Sequence, residues 1–177
     1  MIEIIYEDID LVVINKPSGI ASQPDAQSTA TEITAKGWIP AHRLDQRVSG
    51  LLLLAKNEQT LALLNEAFAQ QKIKKLYRAV VGNKPKTNSA PLTHWLLKDG
   101  THNKSKAFTK EVAHSKKAQL NYELVQSSLK YHLLNIELLT GRFHQIRAQL
   151  AAIGSPIVGD VKYGYKRTTP DGSIFLQ

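Results

Sequence analysis

Asp45 is the carboxylate whose neighbours most suggest chemistry, because Ala41-His42-Arg43-Leu44-Asp45-Gln46-Arg47-Val48-Ser49-Gly50 sets it between two arginines. The segment is polar and leads into the apolar run Leu51-Leu52-Leu53-Leu54. Loops held on a rigid strand are where function concentrates. A guanidinium within a few ångströms would favour the charged carboxylate, which suits a nucleophile that must stay ionised. The same residues also fit a plain Asp–Arg pair or an Asx-turn, and this segment alone leaves both readings open.

A second constellation is Thr140-Gly141-Arg142-Phe143-His144-Gln145-Ile146-Arg147. The spacing predicts a helix over about 143–153, with Ile146, Leu150 and Ile153 as its apolar stripe and His144 and Arg147 on one flank near its start. Free amides and the helix dipole favour an anion there, either phosphate or a carboxylate. The alternative is a capped amphipathic helix with solvated arginines. A third segment, residues 75–81, places Tyr77, Ala79 and Val81 on one strand face. A strand tyrosine can be packing, or an aromatic face for an unpaired base.

Other chemistries lack their residues. The chain has no cysteine, so disulfides, thiolate zinc sites and cysteine nucleophiles are excluded. Its six histidines form no i, i+4 pair and no zinc-type spacing, so no metal is expected. There is no G-x-S-x-G nucleophile elbow. Residues 159–164 have the glycine spacing of a P-loop, but Tyr165 and Lys166 stand where Lys and Ser or Thr are required.

The elements that must position these residues can be read in outline. Strands are expected at 2–6 and 11–15 around a tight turn, at 50–55, at 76–81, and as a pair at 119–125 and 131–139. A polar surface loop, with one short helix after it, follows the Lys16-Pro17-Ser18-Gly19 strand end. Asn57 caps a predicted helix to about residue 70, with Leu61, Leu64 and Phe68 on one face. Residues 83–118 show only weak periodicity, and Gly154 ends the last helix with Pro156 beyond. The irregular alternation indicates a single α+β domain over 1–177, with a mixed, largely antiparallel central sheet and flanking helices.

With 42% hydrophobic and 21% charged residues the chain is globular in composition. The longest purely apolar run, 51–55, falls far short of the roughly 20 residues a membrane helix needs. Residues 1–10 carry four acids and no base, unlike an export signal, and the absence of cysteine fits a reducing compartment; a cytoplasmic location is expected. The net charge is +8, and residues 83–118 hold eight lysines against Asp99 and Glu111. Such an excess fits solvated faces or a polyanionic partner, with RNA or DNA the sharper reading.

Taken together, these motifs resemble the RluA-type family of RNA pseudouridine synthases. Residues 42–53 follow its H-R-L-D-x-x-[TS]-S-G-L-L-L pattern, 75–81 its K-x-Y-x-A-x-V strand, 141–147 its G-R-x-H-Q-I-R motif, and 154–164 its G-x-P-[IL]-x-G-D-x-x-Y-G segment. Asn15-Lys16-Pro17-Ser18-Gly19 matches the family's N-K-P-x-G strand end. The resemblance implies that Asp45 is the catalytic aspartate and that specific uridines in structured rRNA or tRNA become pseudouridine. The base is cut from C1′, turned and rejoined through C5. Glycosidases generally use two carboxylates because water must enter; here the base is retained, so one nucleophilic carboxylate suffices. No cofactor is implied. Extruding the target nucleotide costs a few kcal/mol, offset by stacking and polar contacts.

By the same resemblance Tyr77 faces the flipped base, Arg147 pairs with Asp45, and Ile146 lines the pocket. Arg43 holds the flipped backbone or fills the vacated space, His42 contacts phosphate or supports the loop, and Arg142 joins the RNA-binding residues. Asp160 and Tyr163 brace the fold. The partner is RNA, with no membrane and no metal, and the protein is expected to be a monomer whose charge excess borders one basic cleft containing Asp45. Val48 departs from the Thr or Ser of the family pattern, Gln46 and Arg47 from its basic–acidic pair, and Phe143 from its usual Thr. No S4-like domain is expected before Met1, and, since the resemblance implies that many relatives continue through another strand, a short C-terminus is an expectation too. The competing readings are a non-catalytic RNA-binding module retaining the fold, and a nucleic-acid glycosylase, which would need a second acid that the sequence does not point to.

Overall fold

The structure, a computed structural model, describes residues 2–22 and 36–177. The loop and short helix expected after Gly19 lie largely outside the described residues. The chain divides into two compact units, Met1–Ile73 with Gln177, and Lys74–Leu176.

In the N-terminal unit, strands β1 (Glu3–Glu7), β2 (Leu11–Lys16), β3 (Ile39–Pro40) and β4 (Gly50–Ala55) form an antiparallel sheet in the order β1-β2-β4-β3. The β1–β2 turn closes because Asp8 Oδ1 accepts the N–H groups of Asp10 and Leu11, both at 2.8 Å. Alternation then decides what is buried. On β2 the inward positions are Val12, Ile14 and Lys16, and on β4 Leu52 and Leu54 pack against the two β2 hydrophobics, with Trp38 at the edge of the cluster. Helix α1 (Glu58–Ala69) starts where Asn57 accepts the Thr60 N–H at 2.8 Å, as its sequence predicts. Leu61, Leu64 and Phe68 are half-buried on its inner face.

The C-terminal unit holds β5 (Leu76–Val81), β6 (Ser89–Asp99), β7 (Lys104–Phe108), β8 (Lys116–Ser127) and β9 (His132–Leu138) in the order β5-β9-β8-β6-β7. Every pair is antiparallel. The α+β class and the antiparallel pairing therefore hold, and the strands make two sheets where the sequence pattern predicts one mixed, largely antiparallel central sheet. The expected β8–β9 pair is present, with Leu120 opposite Leu138 and Ser127 opposite His132.

The weakly periodic stretch 83–118 holds β6, β7 and the start of β8, strands that its pattern does not single out. The β6 stripe reads Leu92, His94, Leu96, all buried, so a histidine interrupts the apolar alternation. Pro91 is tolerated because β7 pairs only with residues 95–99 of β6, leaving the start of the strand with one neighbour.

Helix α2 (Gln145–Ala152) begins two residues later than its periodicity predicts. His144 precedes it in the left-handed region at φ 51°, outside the helix, so His144 and Arg147 do not share a helical flank. Nor is the helix amphipathic: Gln145 through Leu150 are all buried, polar and apolar alike, while Ile153 is only half-buried. Ala148 packs with Leu96, Ala118 and Tyr163, the last on the 3-10 turn Val161–Tyr163. The free edge of β5 is taken by later chain: Val80 donates to Phe175 O and its carbonyl accepts from Val158 N, both at 2.9 Å. No described helix is long and apolar enough to cross a membrane.

Gly159 is a glycine that both its φ and its surroundings require. Its φ is +87°, and a Cβ there would stand 2.7 Å from the Ser173 carbonyl oxygen and 3.0 Å from Thr169 Cγ2. Gly154 has a similar φ of +80° but open space around it. Gly159→Ala is expected to lower folding stability by about 2 kcal/mol or more, and Gly154→Ala by only about 1 kcal/mol. Urea titrations of the two variants check the order; equal losses would remove the steric argument.

Candidate active site

Asp45 sits half-buried on a loop that is held at both sides. Leu44 and Val48 are buried, and the Val48 N–H donates to Asp45 O at 3.0 Å to close a tight turn. The loop is stitched to residues 18–22 along its length. Ser22 Oγ exchanges hydrogen bonds with the Leu44 N–H and carbonyl at 2.9 and 2.8 Å, and the Gly19 N–H donates to Gln46 O at 2.7 Å. Gln46 Nε2 donates back to Gly19 O, and Ser18 Oγ to Arg47 O, both at 3.0 Å. Backbone geometry therefore fixes where the Asp45 side chain starts.

Motif reading alone leaves Lys16 out of the site. It is completely buried, and its ammonium donates to Pro17 O at 2.9 Å, Ile20 O at 2.8 Å and, more weakly, Gln46 O at 3.5 Å. Burial pushes the Lys16 amine down to about 8, while the nearby Asp45 carboxylate acts in the opposite direction. The signal is present in the alternation Val12, Ile14, Lys16, which puts a lysine on the inward face.

The arginines beside Asp45 behave differently from the simplest expectation. Arg43 and Arg47 are exposed, and neither forms an ion pair among the described residues. Arg43 and Arg47 are thus solvated guanidiniums, while the buried Lys16 amine lies close enough to Asp45 to feel its charge. His42 is anchored: its Nε2 accepts the Leu53 N–H at 3.1 Å, and its ring lies 5.2 Å from that of Phe68. Accepting through Nε2 places the proton of the neutral ring on Nδ1.

The remaining candidates, Tyr77, Arg142, Ile146 and Arg147, belong to the C-terminal unit. Tyr77 is half-buried on the β5 face that also carries Ala79 and Val81, both fully buried. Ile146 is buried in the first turn of α2. Arg147 is 3% exposed, and its Nε and Nη2 donate to the two oxygens of Asp160 at 2.7 and 2.9 Å, a bidentate pair with a fully buried carboxylate. The guanidinium also lies 4.9 Å from the Tyr163 ring centre. Tyr163 is held by its hydroxyl, which accepts the Ser105 N–H at 2.8 Å and is hydrogen-bonded to His144 Nδ1 at 3.0 Å. Arg142, by contrast, is exposed and donates through Nε to Lys117 O at 3.1 Å. Among the described residues no cluster of three or more His, Cys, Asp or Glu side chains could hold a metal ion.

Lys16 gives this loop a pH signature. Below about pH 8 its amine is charged in folded and unfolded chains alike, and the cost of burying that charge is fully present. Between about 8 and the ordinary lysine value of 10.5 only the unfolded chain keeps the proton, so stability rises with pH. Urea midpoints from pH 7 to 10 are expected to rise in the native protein relative to Lys16→Met. In Asp45→Asn, which loses the opposing carboxylate charge, the rise should begin at lower pH. Parallel pH profiles for all three proteins would contradict this account of the loop.

Comparison with known proteins agrees with the motifs. Residues 10–152 match the sequence model of the family described as RNA pseudouridylate synthase. The chain is 35% identical over 181 residues to ribosomal large subunit pseudouridine synthase C of Rickettsia felis, covering 94% of this chain and 57% of that protein. It is 33% identical to ribosomal large subunit pseudouridine synthase D of Borreliella burgdorferi, covering 98% of this chain and 56% of the relative. The chain thus spans little more than half the length of these relatives. Among solved structures, human RNA pseudouridylate synthase domain containing 1 superposes with a TM-score of 0.82 at 22% identity, over 99% of this chain and 76% of the other, a likeness of fold alone. With a family match over most of its length and relatives above 30% identity, the chain belongs to the RluA-type RNA pseudouridine synthase family.

Proposed function

We propose that the protein isomerises specific uridines of structured RNA, ribosomal or transfer, to pseudouridine, with Asp45 as nucleophile. The observation that carries this reading is the family's aspartate motif on a loop that holds Asp45 by its backbone. As the Asp45 carboxylate attacks C1′, the N1–C1′ bond breaks and its electron pair leaves on the uracil. The turned base then attacks C1′ through C5 and releases the carboxylate. C5 loses its proton and N1 gains one, so atoms and charge balance with no redox change, and no cofactor is invoked.

The remaining roles follow the motif positions. Tyr77 faces the extruded base and Ile146 lines its pocket. Arg43, exposed and without an ion-pair partner among the described residues, holds the displaced backbone, and Arg142 contacts RNA. His42, which accepts the Leu53 N–H, supports the Asp45 loop. Arg147, already bidentate to Asp160, brings a fixed positive charge. The relatives named for the ribosomal large subunit favour a ribosomal substrate and a cytoplasmic site of action, and the protein is proposed to act as a monomer.

Purified protein incubated with ribosomal and transfer RNA from cells lacking the gene is expected to form pseudouridine, read by mass mapping. Asp45→Asn should abolish product, a loss of at least about a thousandfold if the nucleophile is essential, with most RNA binding retained. RNA bound but never modified by the native protein would favour a non-catalytic module instead. Free uracil would favour a glycosylase.

The lysines of β7 and the loop after it supply part of the affinity on this reading. Lys106 and Lys110 are exposed and Lys104 is half-buried. Changing all three to Gln is expected to weaken RNA binding and flatten its dependence on salt, by up to about 0.7 to 0.9 in log–log slope for each phosphate no longer neutralised. An unchanged slope would assign these lysines to a solvated face.

A further inference from the structure

Lys75 and Arg142 bring two positive charges to one place in the C-terminal unit. Lys75 is half-buried just before β5, and a Cβ on Gly141 would stand 3.7 Å from its Nζ, so at that position the amine meets backbone and no side chain. Burial, and then the charge of Arg142, hold the Lys75 amine below its ordinary value. Among the described residues the Lys75 amine has no hydrogen-bond or ion-pair partner, and Arg142 commits only Nε, to the Lys117 carbonyl.

The arrangement is built. Arg142 donates its own N–H to Gln145 Oε1 at 3.0 Å. Gln145 is buried, accepts from Thr140 Oγ1 at 2.8 Å and donates to Gln119 O at 3.0 Å. The backbone carrying one cation is therefore fixed beside the other. Two like charges held together, one of them partly removed from water, cost stability. An anion between them would reverse the sign of that interaction, and the uncommitted guanidinium N–H groups with the ammonium supply a fork and a point charge suited to phosphate oxygens.

We propose that Lys75 and Arg142 together clamp one phosphate of the RNA backbone. This rests on the reading of the chain as an RNA-modifying enzyme and adds Lys75 to its binding residues. Lys75 and Tyr77 are two residues apart on extended chain, about 7 Å. The clamped phosphate therefore belongs to the target nucleotide or its immediate neighbour.

The test compares the native protein with Lys75→Gln, Arg142→Gln, the double variant and Lys75→Arg. RNA from cells lacking the gene is bound over a range of salt, and thermal midpoints are read with and without inorganic phosphate. Each Gln variant should bind about 3- to 10-fold more weakly and lose about 0.7 to 0.9 of log–log salt slope. The double variant should lose little more than either single variant, because one shared phosphate can be released only once. Lys75→Arg should keep the slope. Lys75→Gln should melt no lower than the native protein, since it removes a repulsion, and inorganic phosphate should raise the native midpoint more than that of the double variant.

Unchanged salt slopes, losses that multiply in the double variant, or a lowered midpoint in Lys75→Gln would each overturn the clamp. Pseudouridine formation by the native protein is measured alongside. Product with unchanged slopes sinks the clamp alone, whereas no product with the expected slopes and phosphate response sinks the proposed reaction and leaves an anion site.

Discussion

A guanidinium and a carboxylate, both out of water, organise the C-terminal unit. Removing either charge from solvent costs several kcal/mol, and only close bidentate geometry with satisfied neighbours offsets it. Arg147 and Asp160 meet that demand at 2.7 and 2.9 Å, and the surrounding elements are those needed to keep the distances short. Helix α2 is buried on every side through Leu150, which holds Arg147 in place. Gly159, at a φ few other residues accept and against a backbone oxygen, lets the chain bring Asp160 to it. Tyr163 lies by the guanidinium and ties the arrangement to β7 through the Ser105 N–H and to the start of α2 through His144. The left-handed conformation of His144 belongs to the same arrangement, since it is where the chain turns from the exposed Gly141-Arg142 pair into a helix whose first six residues are all buried.

The N-terminal unit meets a related demand by other means. Lys16 is as buried as Asp160, but its hydrogen-bond partners are carbonyl oxygens of Pro17, Ile20 and Gln46. Carbonyl dipoles stabilise an ammonium less than a carboxylate in contact would, which is consistent with the lowered proton affinity of the amine. The consequence is geometric. Pro17 and Ile20 belong to the segment that binds the Asp45 loop, and Gln46 follows Asp45 directly, so one buried cation gathers the backbone on both sides of the loop. The Asp45 backbone is thereby held in place and, below about pH 8, has a buried positive charge near it, while Arg43 and Arg47 remain in solvent.

What is legible in the sequence follows the same division between local and long-range causes. The β1–β2 hairpin, β4, β5, the β8–β9 pair and the Asn57 cap come from signals a few residues long, and each is present. Strands β6 and β7 escape a periodicity reading because their inward positions include His94 and Ser105, polar residues satisfied by partners distant in sequence: His94 by Gln149, and Ser105 by Tyr163 and the Phe143 carbonyl. Helix α2 reads as amphipathic for the converse reason, since Arg147, Gln145 and Gln149 are polar residues buried against partners that periodicity does not reveal. Strand pattern alone also does not assign neighbours, which is why it predicts one sheet where two are found. The candidate site is legible by residue type and spacing, but the contacts are not: the bidentate bond of Arg147 to Asp160 and the burial of Lys16 need the fold.

These contacts change the meaning of the charge excess. A net charge of +8 counts every cation alike, yet the fold sorts them. Arg147 donates to Asp160 and Lys16 to carbonyl oxygens, so both are buried cations fixed by hydrogen bonds. Lys84, Lys86, Lys98, Lys106, Lys110, Lys116 and Lys117 are exposed on one stretch of the C-terminal unit that carries only Asp99 and Glu111 in return, and Asp99 is hydrogen-bonded to His102. Exposed lysines cost little to keep and are screened by salt, which suits a surface that attracts a polyanion without selecting its sequence. Lys75 and Arg142 fall between the two classes, one half-buried and one exposed, held together by backbone that is itself fastened to the sheet. A cation pair kept at that depth without a carboxylate is poor at stabilising a fold and well suited to holding a single anion in one place.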